Sequence, residues 1–116
     1  MPLTWNRCDN NQWCPLNTVD LAHQHFDGME GVYVIWHAGP GPRTVRVGQG
    51  IIRGRLQAHR GDNAIQAYAR QGLYATWASV LASQRDGVEA YLAQHLNPLV
   101  GERFPQRRSI VVNLPW

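Results

Sequence analysis

The sequence predicts an α+β domain in which a small three-stranded antiparallel sheet is flanked by helices. Three observations carry this. GVYVIWH (31–37), TVRVG (44–48) and LYATWASVL (73–81) are rich in β-branched and aromatic residues. Apolar residues recur at helical spacing through 51–60 and 87–96. Little more than AGPGP separates the first two strands, so they form an antiparallel hairpin rather than a crossover.

Strand 31–37 places Val32, Val34 and Trp36 on one face and Tyr33, Ile35 and His37 on the other. Both faces are largely apolar, which predicts a central strand covered on both sides. In 51–60 the residues Ile51, Ile52, Arg55, Leu56 and His59 share one helical face, and Gly61-Asp62 ends the helix. NAIQAYARQ reads as a second helical piece that stops at Gly72. In the third strand Leu73, Ala75 and Trp77 face one way and Tyr74, Thr76 and Ala78 the other. Asp86 is expected to cap a helix, GVEAYLAQHL, with Val88, Tyr91, Leu92 and His95 or Leu96 as its buried stripe, ending at Asn97-Pro98. Earlier, Thr18 is expected to cap a short helix, VDLAHQHF; later, SIVVN is expected as a short strand in an otherwise looped tail.

At 116 residues, 44% of them apolar, the chain is expected to be one domain with an adequate core. Residues 1–28 read as an arm packed on the domain by Trp5, Trp13 and Leu16. Residues 29–116 read as the domain proper with a C-terminal extension. No apolar run approaches the roughly 18 residues of a membrane span. The opening MPLTWNRCDNNQWC lacks a basic start followed by an apolar block, so no secretory signal is expected and a cytoplasmic protein is. On that reading Cys8 and Cys14 are expected as free thiols, with a zinc site from Cys8, Cys14, His23 and His25 as a poorly spaced alternative. His23 and His25 read better as surface or capping residues.

Charge is unevenly spread. All eleven basic side chains are arginine. Residues 1–42 hold one arginine against four acids, and 43–116 hold ten against four, giving −3 and +6 within the total of +3. Guanidinium binds phosphate in a fixed fork, so the basic portion favours a polyanionic partner, nucleic acid. An arginine-biased, solvated surface is the plainer alternative.

The junction GQGIIRG is not a dinucleotide fingerprint, because Arg53 stands where the third glycine belongs, and it has no P-loop lysine. Backbone N–H groups at such a strand–glycine–helix junction still suit an anion. Arg46, Gly48 and Arg53 are the candidate phosphate binders, although a turn that simply needs glycine explains the pattern as well. Arg55 and His59, at i and i+4, share a half-buried face, and Arg55 needs an anion: either a phosphate or Glu89.

GVY (31–33), VRVG (45–48), RLQAH (55–59) and Glu89 with a proline nine residues later occur in an order and spacing that resemble the GIY-YIG nuclease domain, over about residues 29–101. That family's three-stranded antiparallel sheet flanked by helices agrees with the elements above. The resemblance implies hydrolysis of phosphodiester bonds, in DNA rather than RNA, with one divalent cation, magnesium. It implies that Tyr33 helps activate the attacking water, that Arg55 holds the scissile phosphate, that His59 assists proton transfer or binds phosphate, and that Glu89 binds the metal. Two positions depart from the family: Arg46 replaces the tyrosine of the YIG element, and Gly101 stands where a late asparagine belongs. A copy that binds nucleic acid or protein without cleavage is the second reading, and a chance match on an ordinary α/β domain the third. With little room for a separate DNA-reading domain, a homodimer or a protein partner is expected to supply specificity.

Overall fold

The structure, a computed structural model, describes residues 1–101 and 107–116. The part of the expected tail loop at 102–106 lies outside them. Four strands form one antiparallel sheet: β1 (Cys14–Pro15), β2 (Glu30–His37), β3 (Arg43–Ile51) and β4 (Leu73–Ser79), in the order β1-β4-β2-β3. Among the described residues three α-helices accompany it: α1 (Ile52–Arg60), α2 (Asn63–Gln66) and α3 (Arg85–Leu96). The expected three strands are all present, and the sheet has a fourth. β1 comes from the arm, where Cys14 pairs with Ala75 and Pro15 with Tyr74. Two residues carry no readable alternation, so only the pairing identifies this strand.

β2 is central, bonded to β3 on one side and β4 on the other. Its alternation separates two cores as expected. Tyr33 and Ile35 pack with Leu73, Ala75 and Trp77 of β4 against Ile52 and Leu56 of α1. Val32, Val34 and Trp36 pack with Val47 and Ala78 against Val88 and Leu92 of α3. The sheet is therefore sandwiched between α1 and α3, and burial of both faces explains why β2 reads as continuously apolar.

β3 is longer than its apolar letters suggest and is bulged. Ile35 lies opposite Arg46 while Trp36 lies opposite Thr44, so Val45 is the extra residue. Val45 packs in the α1-side core and Val47 in the α3-side core, although only Arg46 separates them. Ile51 closes β3 and is exposed, correcting its expected place on the buried face of α1. On the outer edge of β3 the Leu99 and Val100 N–H groups donate to the carbonyls of Thr44 and Val45 at 3.1 and 2.8 Å.

The arm departs from expectation in three ways. Cys8 and Cys14 form a disulfide, with Cα atoms 5.2 Å apart, so they are neither free thiols nor zinc ligands. The turn between them is built by Asn10 and Asn11, both at φ 58°, a region asparagine tolerates better than most residues. A disulfide is the form cysteines take in oxidising compartments, the opposite of what the expected cytoplasmic setting led to for this pair. Second, 19–26 is not an α-helix; only Gln24–Phe26 makes a 3-10 turn. The Val19 and Leu21 carbonyls, which a helix would direct to its own N–H groups, accept from Arg60 and Arg53 instead, and the His23 carbonyl accepts from Arg53 as well as from the Phe26 N–H of the turn. Third, Leu16, Leu21 and Phe26 are part of the core itself, so the arm completes the domain.

Ser109–Asn113 is not a strand. It crosses the start of α3, where the Ile110 N–H donates to the Gly87 carbonyl at 2.9 Å, and Asn113 exchanges two hydrogen bonds with the Leu3 backbone. The second helical piece divides into α2, capped by the Asp62 carboxylate, and a 3-10 turn at Ala69–Gln71. Helix α3 begins at Arg85 without a side-chain cap; Asp86 lies within its first turn and is engaged elsewhere. Its stripe is Val88 and Leu92, with Tyr91 and Leu96 partly covered and His95 exposed. No helix of the described residues is long and apolar enough to cross a membrane.

Candidate active site

A buried polar contact joins β2 to α1. The Tyr33 hydroxyl lies 2.5 Å from Nε2 of His59, with both residues buried. Leu56 and His59 project from the inner face of α1 one turn apart, and the register of β2 brings Tyr33 beneath them. Gly48 lies directly opposite Tyr33 in the β2–β3 ladder, and a Cβ there would stand 2.1 Å from the Tyr33 oxygen. Gly48 is thus the space the hydroxyl occupies. It serves the site sterically.

His59 is held neutral. Burial, then the positive charges of Arg55 and Arg46, lower its pKa from 6.5 to about 4, against an opposing pull from Asp62. Its Nδ1 faces the Asp62 carboxylate at 3.8 Å. A neutral ring in this setting carries its proton on Nδ1, towards Asp62, and accepts the Tyr33 hydroxyl proton at Nε2; the tautomer is assigned from these partners. Asp62 was not among the expected site residues. Its position three after His59 was the available signal.

Glu89 is buried on the other side of the sheet, on the inner face of α3. Its Oε2 accepts from the Gln49 side-chain amide at 2.6 Å, and the same nitrogen donates to Asp86 at 2.8 Å. Gln49 thus bridges two carboxylates one helical turn apart; its polar type alone gave no hint of this. Burial raises the Glu89 pKa, the Gln49 hydrogen bond and the Arg46 charge oppose the rise, and Asp86 and Arg55 act as smaller opposite influences. Among the described residues no cluster of three or more His, Cys, Asp or Glu side chains is arranged to hold a metal ion. A cation here would rest on Glu89, with Asp86 beside it.

The charges of Arg46 and Arg55 both lower the His59 pKa and both oppose the rise at Glu89. Arg46 follows the bulge on edge strand β3, and its Nε is buried without a hydrogen-bond partner among the described residues. Arg55 is exposed, and its stem passes Gly50, whose φ of 132° a side chain would rarely adopt. Neither arginine is in an ion pair with a described carboxylate. The expected alternative, an Arg55–Glu89 salt bridge, does not form.

Arg53 is not part of this group. Its guanidinium donates to the carbonyls of Leu21 and His23 and pairs with Asp27 at 2.7 Å, which corrects its expected role in phosphate binding. Arg60 likewise holds the carbonyls of Leu16 and Val19. Arg85 binds the Val80 carbonyl and Glu30. Much of the arginine excess in 43–116 is therefore structural, which weakens charge alone as a sign of nucleic acid. Compared with protein-family models, curated proteins and solved structures, the chain matches none.

Proposed function

We propose that this chain is a GIY-YIG-like endonuclease that hydrolyses DNA phosphodiester bonds with one divalent cation, magnesium. The observation that carries the reading is the buried Tyr33–His59 contact, 26 residues apart in sequence, beside two arginines without a carboxylate partner among the described residues. A tyrosine hydroxyl hydrogen-bonded to a neutral imidazole can pass its proton to that ring, which is what activation of a water through the hydroxyl requires.

Magnesium fits Glu89. The Gln49 bond occupies Oε2, and Oε1 makes no hydrogen bond among the described residues. Magnesium is commonly held by one or two carboxylates together with water and substrate phosphate. When bound, it would polarise a phosphate that spans the edge strand β3 between the α1 and α3 faces, and stabilise the leaving oxygen. Arg55, exposed beside Gly50, holds the phosphate, and Arg46 offsets the charge that grows on it. His59 Nε2 takes the hydroxyl proton of Tyr33 as the Tyr33 oxygen takes a proton from the attacking water. The water oxygen bonds to phosphorus, the bond to the leaving oxygen breaks, and that oxygen takes up a solvent proton. Asp62 faces the imidazolium so formed.

One observation favours the second reading, a module that binds nucleic acid without cutting it. Tyr33 is 0% exposed, so attacking water reaches its oxygen only after the covering side chains part on substrate binding. Arg46 in place of the family's second tyrosine points the same way. Plasmid nicking separates the two. The nuclease nicks with magnesium, and Glu89→Ala abolishes nicking while DNA affinity is retained. Wild-type protein that binds DNA but nicks nothing with magnesium or manganese would establish the binding module.

A further inference from the structure

On the α3 side, where the arm and tail meet the sheet, Trp13, Trp36 and Trp116 come together around a cavity of about 480 Å³. Trp36 meets Trp13 at 5.2 Å and 86°, and Trp116 at 4.8 Å and 63°; Trp13 and Trp116 are 6.4 Å apart at 85°. Trp36 is backed by a stacked Tyr74, which fixes its plane. Trp116 is 57% exposed. Apolar burial favours covering indoles, and here the open side of one of the largest side chains in the protein is left towards a cavity.

The polar lining determines what fits. Arg43, Thr44 and His95 border the cavity, and no acidic side chain does so among the described residues. An aromatic box for a cationic ammonium group would need the opposite surroundings, since Arg43 repels a cation. Arg7 lies 4.0 Å over the Trp13 ring and Tyr74 stacks on Trp36, so Trp116 offers the open indole face, and an indole face beside a guanidinium suits a planar, neutral ring joined to an anion. Arg43 spends one N–H group on the Asn97 carbonyl at 3.2 Å and keeps others for a ligand. The volume lies within the roughly 300–1,000 Å³ of small-ligand sites.

We infer that this cavity is a nucleotide subsite that stacks one unstacked nucleobase on the tryptophans and binds its phosphate through Arg43. Arg43 lies on β3 three residues before Arg46, about 10 Å along the strand. A strand passing over the segment that pairs with Thr44 and Val45 on the β3 edge would connect the subsite to the candidate active site. This assignment to a nucleic-acid strand rests on the proposed function; the base-and-phosphate chemistry does not.

The test is NMR of the indole N–H signals during titration with 2′-deoxyadenosine 5′-monophosphate, deoxyadenosine, inorganic phosphate and the hexamer of deoxyadenylate. The monophosphate is expected to shift the Trp13, Trp36 and Trp116 signals, deoxyadenosine to bind about tenfold more weakly, and phosphate alone to leave them unmoved. Trp116→Ala should weaken the monophosphate about tenfold, and Arg43→Ala should reduce it to the affinity of deoxyadenosine. Tighter binding of the hexamer identifies a strand as the source, and equal or weaker binding a free nucleotide. No shift of the three indoles at millimolar monophosphate, equal affinity with and without phosphate, or full affinity in a folded Trp116→Ala protein each overturns the subsite. Magnesium-dependent nicking is scored separately, so loss of the nuclease reading and loss of the subsite are distinguishable.

Discussion

Tyr33 and Gly48 face each other across the β2–β3 ladder so closely that a methyl group on Gly48 would stand 2.1 Å from the tyrosine oxygen. The glycine of the VRVG segment is therefore a cavity shaped for a hydroxyl. Gly48→Ala is expected to destabilise the fold by about 1–3 kcal/mol, the usual cost of overpacking. Denaturant unfolding measures it. The cost should shrink in a Tyr33→Ala background, because the clashing ring is gone; equal costs in both backgrounds would show that the backbone, not Tyr33, is what the alanine offends.

Acid should destabilise the protein through His59. Unfolded, this imidazole protonates at its ordinary 6.5; folded, only at about 4. Between those values the unfolded chain binds more protons, so stability rises with pH and is lost as pH falls from 6.5 towards 4, by about 3 kcal/mol at most. His59→Gln should flatten that limb. Glu89 acts with the opposite sign: its raised pKa means that ionising it costs stability as pH climbs past the ordinary 4.5. Unfolding curves at several pH values, on both single variants, separate the contributions.

The same histidine reports on its neighbours. Arg55→Ala removes one of the charges that lower its pKa, but burial is the larger cause. The NMR titration of His59 should therefore move upward in this variant while remaining below 6.5. A rise to 6.5 would assign the shift to charge rather than burial.

If Arg46 and Arg55 meet phosphates, each alanine variant should lower DNA affinity and reduce the slope of log affinity against log salt by about 1. Arg53→Ala should leave that slope unchanged, because its guanidinium is bound to the arm. Fluorescence anisotropy over a salt series measures all three.

Arg53→Ala and Arg60→Ala should instead loosen residues 16–27, each at a cost of about 1–2 kcal/mol for charge-assisted hydrogen bonds lost. Breaking the Cys8–Cys14 bond should cost about 2 kcal/mol by the loop-entropy relation. Hydrogen exchange would locate the first effect in the arm, and unfolding with and without reductant measures the second.

What the sequence revealed follows from where its signals lay. Alternation in 31–37 and 73–79 reported both faces of β2 and β4, because apolar side chains on opposite faces must enter different cores. Helical spacing placed Leu56 and His59 on one inner face. The roles of Arg53 and Arg60 were not legible, since a guanidinium that binds carbonyls of a distant segment leaves no mark near itself. β1 was hidden for a related reason: Cys14 and Pro15 become a strand only through β4. The disulfide was misread because compartment was weighed above local geometry, although Asn10-Asn11 between the cysteines marks a tight turn. Glu89 was visible as a residue, but its burial and its Gln49 partner depend on a nine-residue strand meeting a helix forty residues on.

The bulge at Val45 gives β3 two independent halves. Because two residues there face Ile35, the inward and outward sequence of the strand restarts at Arg46. The half beginning at Arg46 presents that arginine, Gly48 and Gln49 to the candidate active site; the half before it presents Arg43 and Thr44 to the tryptophans. A change in the length of the AGPGP turn would be absorbed before the bulge, leaving Tyr33 opposite Gly48. The two halves can therefore diverge separately, one under the demands of chemistry and the other under those of ligand choice.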